Sequence, residues 1–147
     1  MFLLSCLSAN SFAESDVFSV DQFNTIKQQH QGQRWLLLLW SVDCPPCFKE
    51  LAYVGQLHKK NSALKVILVN TDGDDMVTEE REGLLKKYGV DQLTNLHFSD
   101  GKAAQGRFQI DPSWYGELPR SYFYQADGQR IAKSGLVAGD VLKQWLL

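Results

Sequence analysis

The run "RWLLLLW" (34–40) leads after three residues into Cys44-Pro45-Pro46-Cys47, and this junction restricts the fold more than anything else in the chain. A continuous apolar run of strand length suits a central strand buried on both faces. From Pro45 to Lys60 the spacing turns helical, with Phe48, Leu51, Ala52 and Gly55 along one face. A buried strand therefore delivers Cys44 to the N-terminus of a helix. "LKVILVN" (64–70) is a second buried-strand run. "TDGDD" (71–75) reads as a turn and helix start, and residues 75–88 as an amphipathic helix with Val77, Leu84, Leu85 and Tyr88 as its stripe and Gly89 as its stop.

The remaining segments extend this pattern. "VFSV" (17–20) has the composition of a short strand. Ser19 and Gln22 have capping-box spacing for a helix that carries Phe23 and Ile26 to about His30. "NLHF" (95–98) reads as a short strand and "GKAAQGRF" (101–108) as a short helix. "RSYFYQ" (120–125) and "RIAKS" (130–134) flank an Asp-Gly turn, a hairpin signal. "GDVLKQWLL" (139–147) closes the chain as a helix. Strands alternating with helices imply parallel strands with right-handed crossovers, and the hairpin adds antiparallel ones. The expected class is α/β, a central mixed sheet flanked by helices.

Length and charge narrow the function. The 147 residues fit one domain, and 44% hydrophobic with 22% charged residues allow a real core. A net charge of −2 offers nucleic acid no electrostatic attraction. No apolar run approaches the ~18 residues of a membrane span. "MFLLSCLSANSFA" (1–13) resembles the apolar core and small-x-small ending of a secretory signal, without the usual basic start. The expected division is a signal at 1–13 and a domain at 14–147. Export would place Cys44 and Cys47 where a disulfide persists. "LLSC" (3–6) also allows lipoprotein-type anchoring through Cys6.

The cysteine pair reads as chemistry more readily than as a staple. Residues i and i+3 share a helix face at about 5–6 Å, and a tightened first turn can close the bond. Closing a four-residue loop yields only about 1.9 kcal/mol, against about 3 for fifteen residues. Structural zinc wants four ligands, no second CxxC exists, and His30, His58 and His97 are scattered, so no metal is expected. A helix N-terminus favours a thiolate, which makes Cys44 the nucleophile and Cys47 the resolving thiol. Pro45 and Pro46 remove two N–H groups that could solvate that thiolate, leaving the amide of Cys47 as the nearest helical donor. Asp43 adds an opposing charge. A modest depression of the Cys44 pKa favours a reductant or isomerase over a strong oxidant.

With these residues in view, the chain resembles the thioredoxin superfamily over roughly residues 33–147. It is most similar to the exported TlpA/ResA-like thiol-disulfide oxidoreductases, which include cytochrome c maturation reductants. "LLLLWSVDCPPC", beginning at Leu36 and containing Trp40, is similar to the family's strand followed by W-x-x-x-C-x-P-C. Glu50 matches its C-x-x-C-x-x-E glutamate, and "GELPRSYFYQADGQRI" matches the segment whose proline is cis. The wide spacing between Cys47 and Pro119 matches a strand-helix insertion before that proline.

The resemblance implies a thioredoxin-like fold, no cofactor beyond a Cys44–Cys47 redox disulfide, and disulfide-bearing protein substrates. It implies a membrane electron donor and a periplasmic or otherwise extracytoplasmic setting. Glu50 would accept the proton of Cys47, and cis-Pro119 would place the backbone of Leu118 beside the disulfide to pair with a substrate. Trp40, Asp43, Pro45, Pro46, Leu118, Trp114 and Tyr115 are the implied substrate-binding set. Asp43 stands where thioredoxins often carry tryptophan, Leu118 where many relatives have a β-branched residue, and Leu38 in place of the buried aspartate. "DPSWYGE" (111–117) is longer than is usual, and Trp114 and Tyr115 there form either a platform for a partner or a cover for the core. A disulfide oxidant or isomerase is the alternative on the same chemistry. A metal-delivery protein on this fold, which typically uses C-x-x-x-C plus a distant histidine, is the alternative from another class.

Overall fold

The structure is a computed structural model that describes residues 16–147. The expected signal segment and Cys6 lie outside the described residues. Strand β1 (Trp35–Trp40) is buried at all six positions. It pairs in parallel with β2 (Val66–Asn70), which pairs in parallel with β3 (Thr94–His97). On its other side β1 pairs antiparallel with β4 (Arg120–Tyr124), which forms a hairpin with β5 (Arg130–Ser134). The sheet order is β3-β2-β1-β4-β5.

Alternation along β1 explains its uninterrupted apolar sequence. Leu36, Leu38 and Trp40 face one layer, where they pack with Leu51 and Val54 of α2 (Pro45–Lys60), Leu85 of α3 (Thr78–Tyr88) and Leu142 of α5 (Gly139–Leu146). Leu37 and Leu39 face the other, with Phe23 and Ile26 of α1 (Val20–Gln29) and Ile110 of α4 (Ala103–Ile110). Both layers are dry at the strand, so truncating Leu38 to alanine would cost about 2–5 kcal/mol.

Two glycines mark close helix contacts. A Cβ on Gly55 would lie 1.9 Å from the carbonyl oxygen of Tyr88, so α2 and α3 approach through bare backbone. A Cβ on Gly106 would meet the Phe98 ring at 2.4 Å, which accounts for a glycine inside α4 despite its helix penalty.

Local differences from the sequence reading have local causes. Residues 17–20 do not form a strand: Val17 makes a single parallel bridge to His97, and Val20 already belongs to α1. The Ser19 side chain accepts the Gln22 N–H at 3.1 Å, which starts the helix there. On α2 the buried face is Cys47, Glu50, Leu51, Val54, Gly55 and Leu57, while Phe48 and Ala52 are only half-buried. β2 begins at Val66, two residues later than the apolar run, because Leu64 sits in a turn bonded to Asn61. The α3 helix is preceded by a 3₁₀ turn at Asp75–Val77 and ends at Gly89 with φ 69°. Its stripe is buried only at Leu85, joined by Arg81.

Candidate redox site

The strand directions gather the site. β1, β2 and β3 run parallel, β4 opposes β1, and β5 opposes β4. The residues after β1, β2 and β5 and those before β4 therefore share one edge of the sheet. That edge carries Cys44, Asp72, Val137 and Pro119. Leu39 pairs with Arg120, so the register places Pro119 beside the end of β1. The Leu118–Pro119 peptide is cis. Leu118 packs against the core cluster that holds both cysteines.

Cys44 and Cys47 are joined in a disulfide with Cα atoms 5.3 Å apart. Cys44 is the N-cap of α2, with the two prolines in its first turn. Cys47 is fully buried, whereas Cys44 keeps 7% of its surface accessible, less than the exposed nucleophile expected. The Cys47 amide does not point at the sulfur of Cys44. It donates to the Cys44 carbonyl at 2.9 Å, the tightened first turn of the helix.

Glu50 is fully buried one helical turn beyond Cys47. Its Oε1 accepts the Val137 N–H from the loop before α5, and its Oε2 meets no donor among the described residues. Burial pushes this carboxyl up to about 7, against the smaller opposing effect of the Val137 hydrogen bond.

The expected substrate-binding residues divide. Asp43, Pro45 and Pro46 are exposed around the disulfide. Trp40 is 1% exposed and belongs to the core beneath the site, so a docked chain cannot touch it. The two aromatics of the 111–117 loop part company. Trp114 is 5% exposed and donates its Nε1–H to the Glu117 carbonyl at 2.9 Å, which makes it a cover for the core. Tyr115 is 92% exposed.

Two polar networks were not anticipated from the sequence. Before Cys44, the Asp72 carboxylate accepts from the Ser41 hydroxyl, from the Val42 N–H at 3.1 Å and from the Asn70 side chain at 2.7 Å. Before Pro119, Asp111 accepts from Tyr122 O–H at 2.8 Å, Arg120 at 3.2 Å, Ser113 O–H at 2.6 Å and Ser113 N–H at 3.0 Å. Burial pushes the Asp111 carboxyl up, but these donors together outweigh it and hold it at about 2. Arg120 also donates to Ser134, and Ser134 to Glu117, both at 2.6 Å, which ties the loop to β5. Among the described residues no group of three or more His, Cys, Asp or Glu could hold a metal ion. None of their helices is long and apolar enough to cross a membrane.

No family model matches the chain. Thiol-disulfide oxidoreductase ResA of Bacillus cereus is 25% identical over 116 residues, which are 79% of this chain and 61% of that protein. The chain thus spans about three fifths of the length of this curated relative. Among solved structures, a secreted Mycobacterium tuberculosis disulfide oxidoreductase homologous to E. coli DsbE superposes with a TM-score of 0.62 at 24% identity, covering 80% of this chain and 82% of that one. StoA from Bacillus subtilis gives 0.53 at 24% identity, covering 78% and 83%. The chain shares the thioredoxin-like fold of these structures, with its Cys44–Cys47 disulfide at the head of α2, and its sequence is similar to that of ResA.

Proposed function

We propose that the protein is an extracytoplasmic thiol-disulfide oxidoreductase that reduces disulfides in other proteins. One observation carries the reading: the Cys44–Cys47 disulfide caps α2 on the sheet edge that also holds cis-Pro119, with Cys44 the less buried of the two cysteines. The ResA relative is named for this chemistry, and the Mycobacterium tuberculosis neighbour is described as secreted.

The cycle starts from the dithiol. The Cys44 thiolate attacks one sulfur of a substrate disulfide, forming a mixed disulfide and expelling the other substrate sulfur as a thiolate. The main chain of Leu118 offers an edge along which an extended substrate segment can lie, with Asp43, Pro45 and Pro46 as the exposed surround. Cys47 then attacks Cys44. Its proton passes to Glu50, whose carboxyl, held near 7 by burial, is suited to accept a proton at neutral pH. The second substrate sulfur leaves, and the protein retains the Cys44–Cys47 disulfide. Two electrons have passed to the substrate, and a donor at the membrane restores the dithiol. A role in cytochrome c maturation fits this direction of flow.

An insulin-reduction assay tests the reading. Cys44→Ser should abolish turnover, and Cys47→Ser should accumulate mixed disulfides that mass spectrometry can identify. A Cys44→Ser variant that still reduces insulin would remove the proposal.

A further inference from the structure

The loop between β1 and Cys44 is held by a carboxylate that no part of the cycle above uses. Asp72 follows β2 and binds across to residues 41 and 42 through the Ser41 hydroxyl and the Val42 N–H. Its third donor is the side chain of Asn70, which is itself 1% exposed and whose Oδ1 takes the Asp72 N–H at 3.4 Å. Ser41 passes the connection on, since its Oγ accepts the Asp43 N–H at 3.1 Å. Thr71 N–H adds a bond to the Trp40 carbonyl at 2.9 Å.

The consequence lies in where the main-chain N–H groups go. A thiolate at a helix N-terminus is stabilised by the amides that point at it. Of the residues around Cys44, Pro45 and Pro46 have no N–H. The Cys47 N–H is spent on the Cys44 carbonyl, the Val42 N–H on Asp72, and the Asp43 N–H on Ser41. Asp72 thus uses or directs both amides on the approach side. Its own charge is bonded to the N–H two residues before Cys44, and a negative charge on that side opposes a thiolate there.

We infer that Asp72 is a positioning residue that acts through Ser41 to keep N–H groups off the Cys44 sulfur and so holds the cysteine couple on the reducing side. The inference rests on the oxidoreductase reading and deepens it: stabilising the thiolate is what makes an oxidant, and this network withholds that stabilisation.

The test is equilibration with glutathione. One protein disulfide plus two glutathione thiols give one protein dithiol plus glutathione disulfide, with two electrons and two protons transferred. Asp72→Asn keeps the shape of the side chain but loses the charge and one acceptor. Its equilibrium constant for reduction should rise at least about threefold, with faster alkylation of Cys44 by iodoacetamide at pH 7. Ser41→Ala should shift the same way by less, Ser41→Thr should return to the wild-type value, and the double variant should fall short of the sum of its parts. A brace with only a mechanical role would lower stability and leave this equilibrium where it was. Should Asp72→Asn fail to fold, Ser41→Ala against Ser41→Thr decides. Folded variants whose equilibrium constants match wild type overturn the inference while insulin reduction by wild type still stands. A wild-type protein that exchanges with neither glutathione nor insulin overturns the oxidoreductase reading itself, and this inference with it.

Discussion

Glu50 and Asp111 are both buried carboxylates on the loops and helix that frame the disulfide, yet one is held at about 7 and the other at about 2. Burial acts on both in the same direction. The difference lies in the donors each can reach. Glu50 receives one main-chain N–H, and its second oxygen has no partner among the described residues. Asp111 receives Ser113 twice, Tyr122 and Arg120, with Arg130 3.8 Å away. A carboxylate with all its lone pairs filled is a structural rivet. One with an empty oxygen costs stability and is free to take a proton. The molecule uses the first kind to hold the loop before Pro119 and the second beside Cys47.

The strongest way to break this contrast is to remove the rivet. Asp111→Ala leaves the Tyr122 hydroxyl and the Nη2 of Arg120 without their acceptor, and Arg120 keeps only 12% of its side-chain surface exposed. The expected loss is about 3–5 kcal/mol in urea unfolding of the oxidised protein. A loss below about 1 kcal/mol, the range of an exposed ion pair, would show that the network is dispensable.

The opposite sign is expected at Glu50. A carboxyl raised from 4.5 to about 7 binds its proton more tightly folded than unfolded. Stability should therefore fall as pH rises from about 4.5 to 7, by about 3 kcal/mol in all, and stay low above that. Glu50→Gln keeps an acceptor for Val137 and cannot titrate, so its stability curve should lose this slope. The same variant should slow the release of mixed disulfides. A wild-type curve that is flat between pH 4.5 and 7 would contradict the buried, half-satisfied carboxyl.

Asp111 gives the smaller, acid-side counterpart. Its pKa is lowered from 3.8 to about 2, so its contribution is present above pH 3.8 and disappears as pH falls toward 2. The amount is about 2 kcal/mol. Comparing wild type with Asp111→Asn over this window isolates it, and parallel curves would refute it.

These two acids also show what a sequence can reveal. β1 and β2 were readable because a strand dry on both faces must be apolar at every position. The cysteine pair was readable because its spacing and its proline neighbours have direct chemical meaning. Cis-Pro119 and Glu50 were readable only through resemblance to a family, since neither a proline before a strand nor a glutamate on a helix says anything alone. Asp72 and Asp111 were not readable as functional supports. Each sits in a stretch, "TDGDD" or "DPSWYGE", whose composition is that of a solvated turn. Ser41 is 31 residues from Asp72 and Tyr122 is 11 from Asp111, so only the folded sheet brings donors to them. Trp114 and Tyr115 were undecidable for a simpler reason. They are adjacent, and the turn of the loop buries one and exposes the other.

That last pair yields the smallest and most selective effect. Tyr115 is carried by the loop that Asp111 anchors, and Arg107 donates to its carbonyl at 3.0 Å while its ring stays 92% exposed. Tyr115→Ser removes no buried contact, so stability should stay within about 0.5 kcal/mol of wild type. An exposed aromatic on the loop that leads into cis-Pro119 is the kind of side chain that can anchor a partner, where truncation costs more than about 1 kcal/mol. The KM for a protein disulfide should then rise about fivefold with kcat unchanged, because the ring touches neither reacting sulfur. Tighter anchoring at Asp111 makes this effect larger, since a loop already held in place loses little freedom on docking. An unaltered KM with insulin and with captured substrates would leave Tyr115 as a solvated loop residue and confine docking to Asp43, the two prolines and the Leu118 main chain.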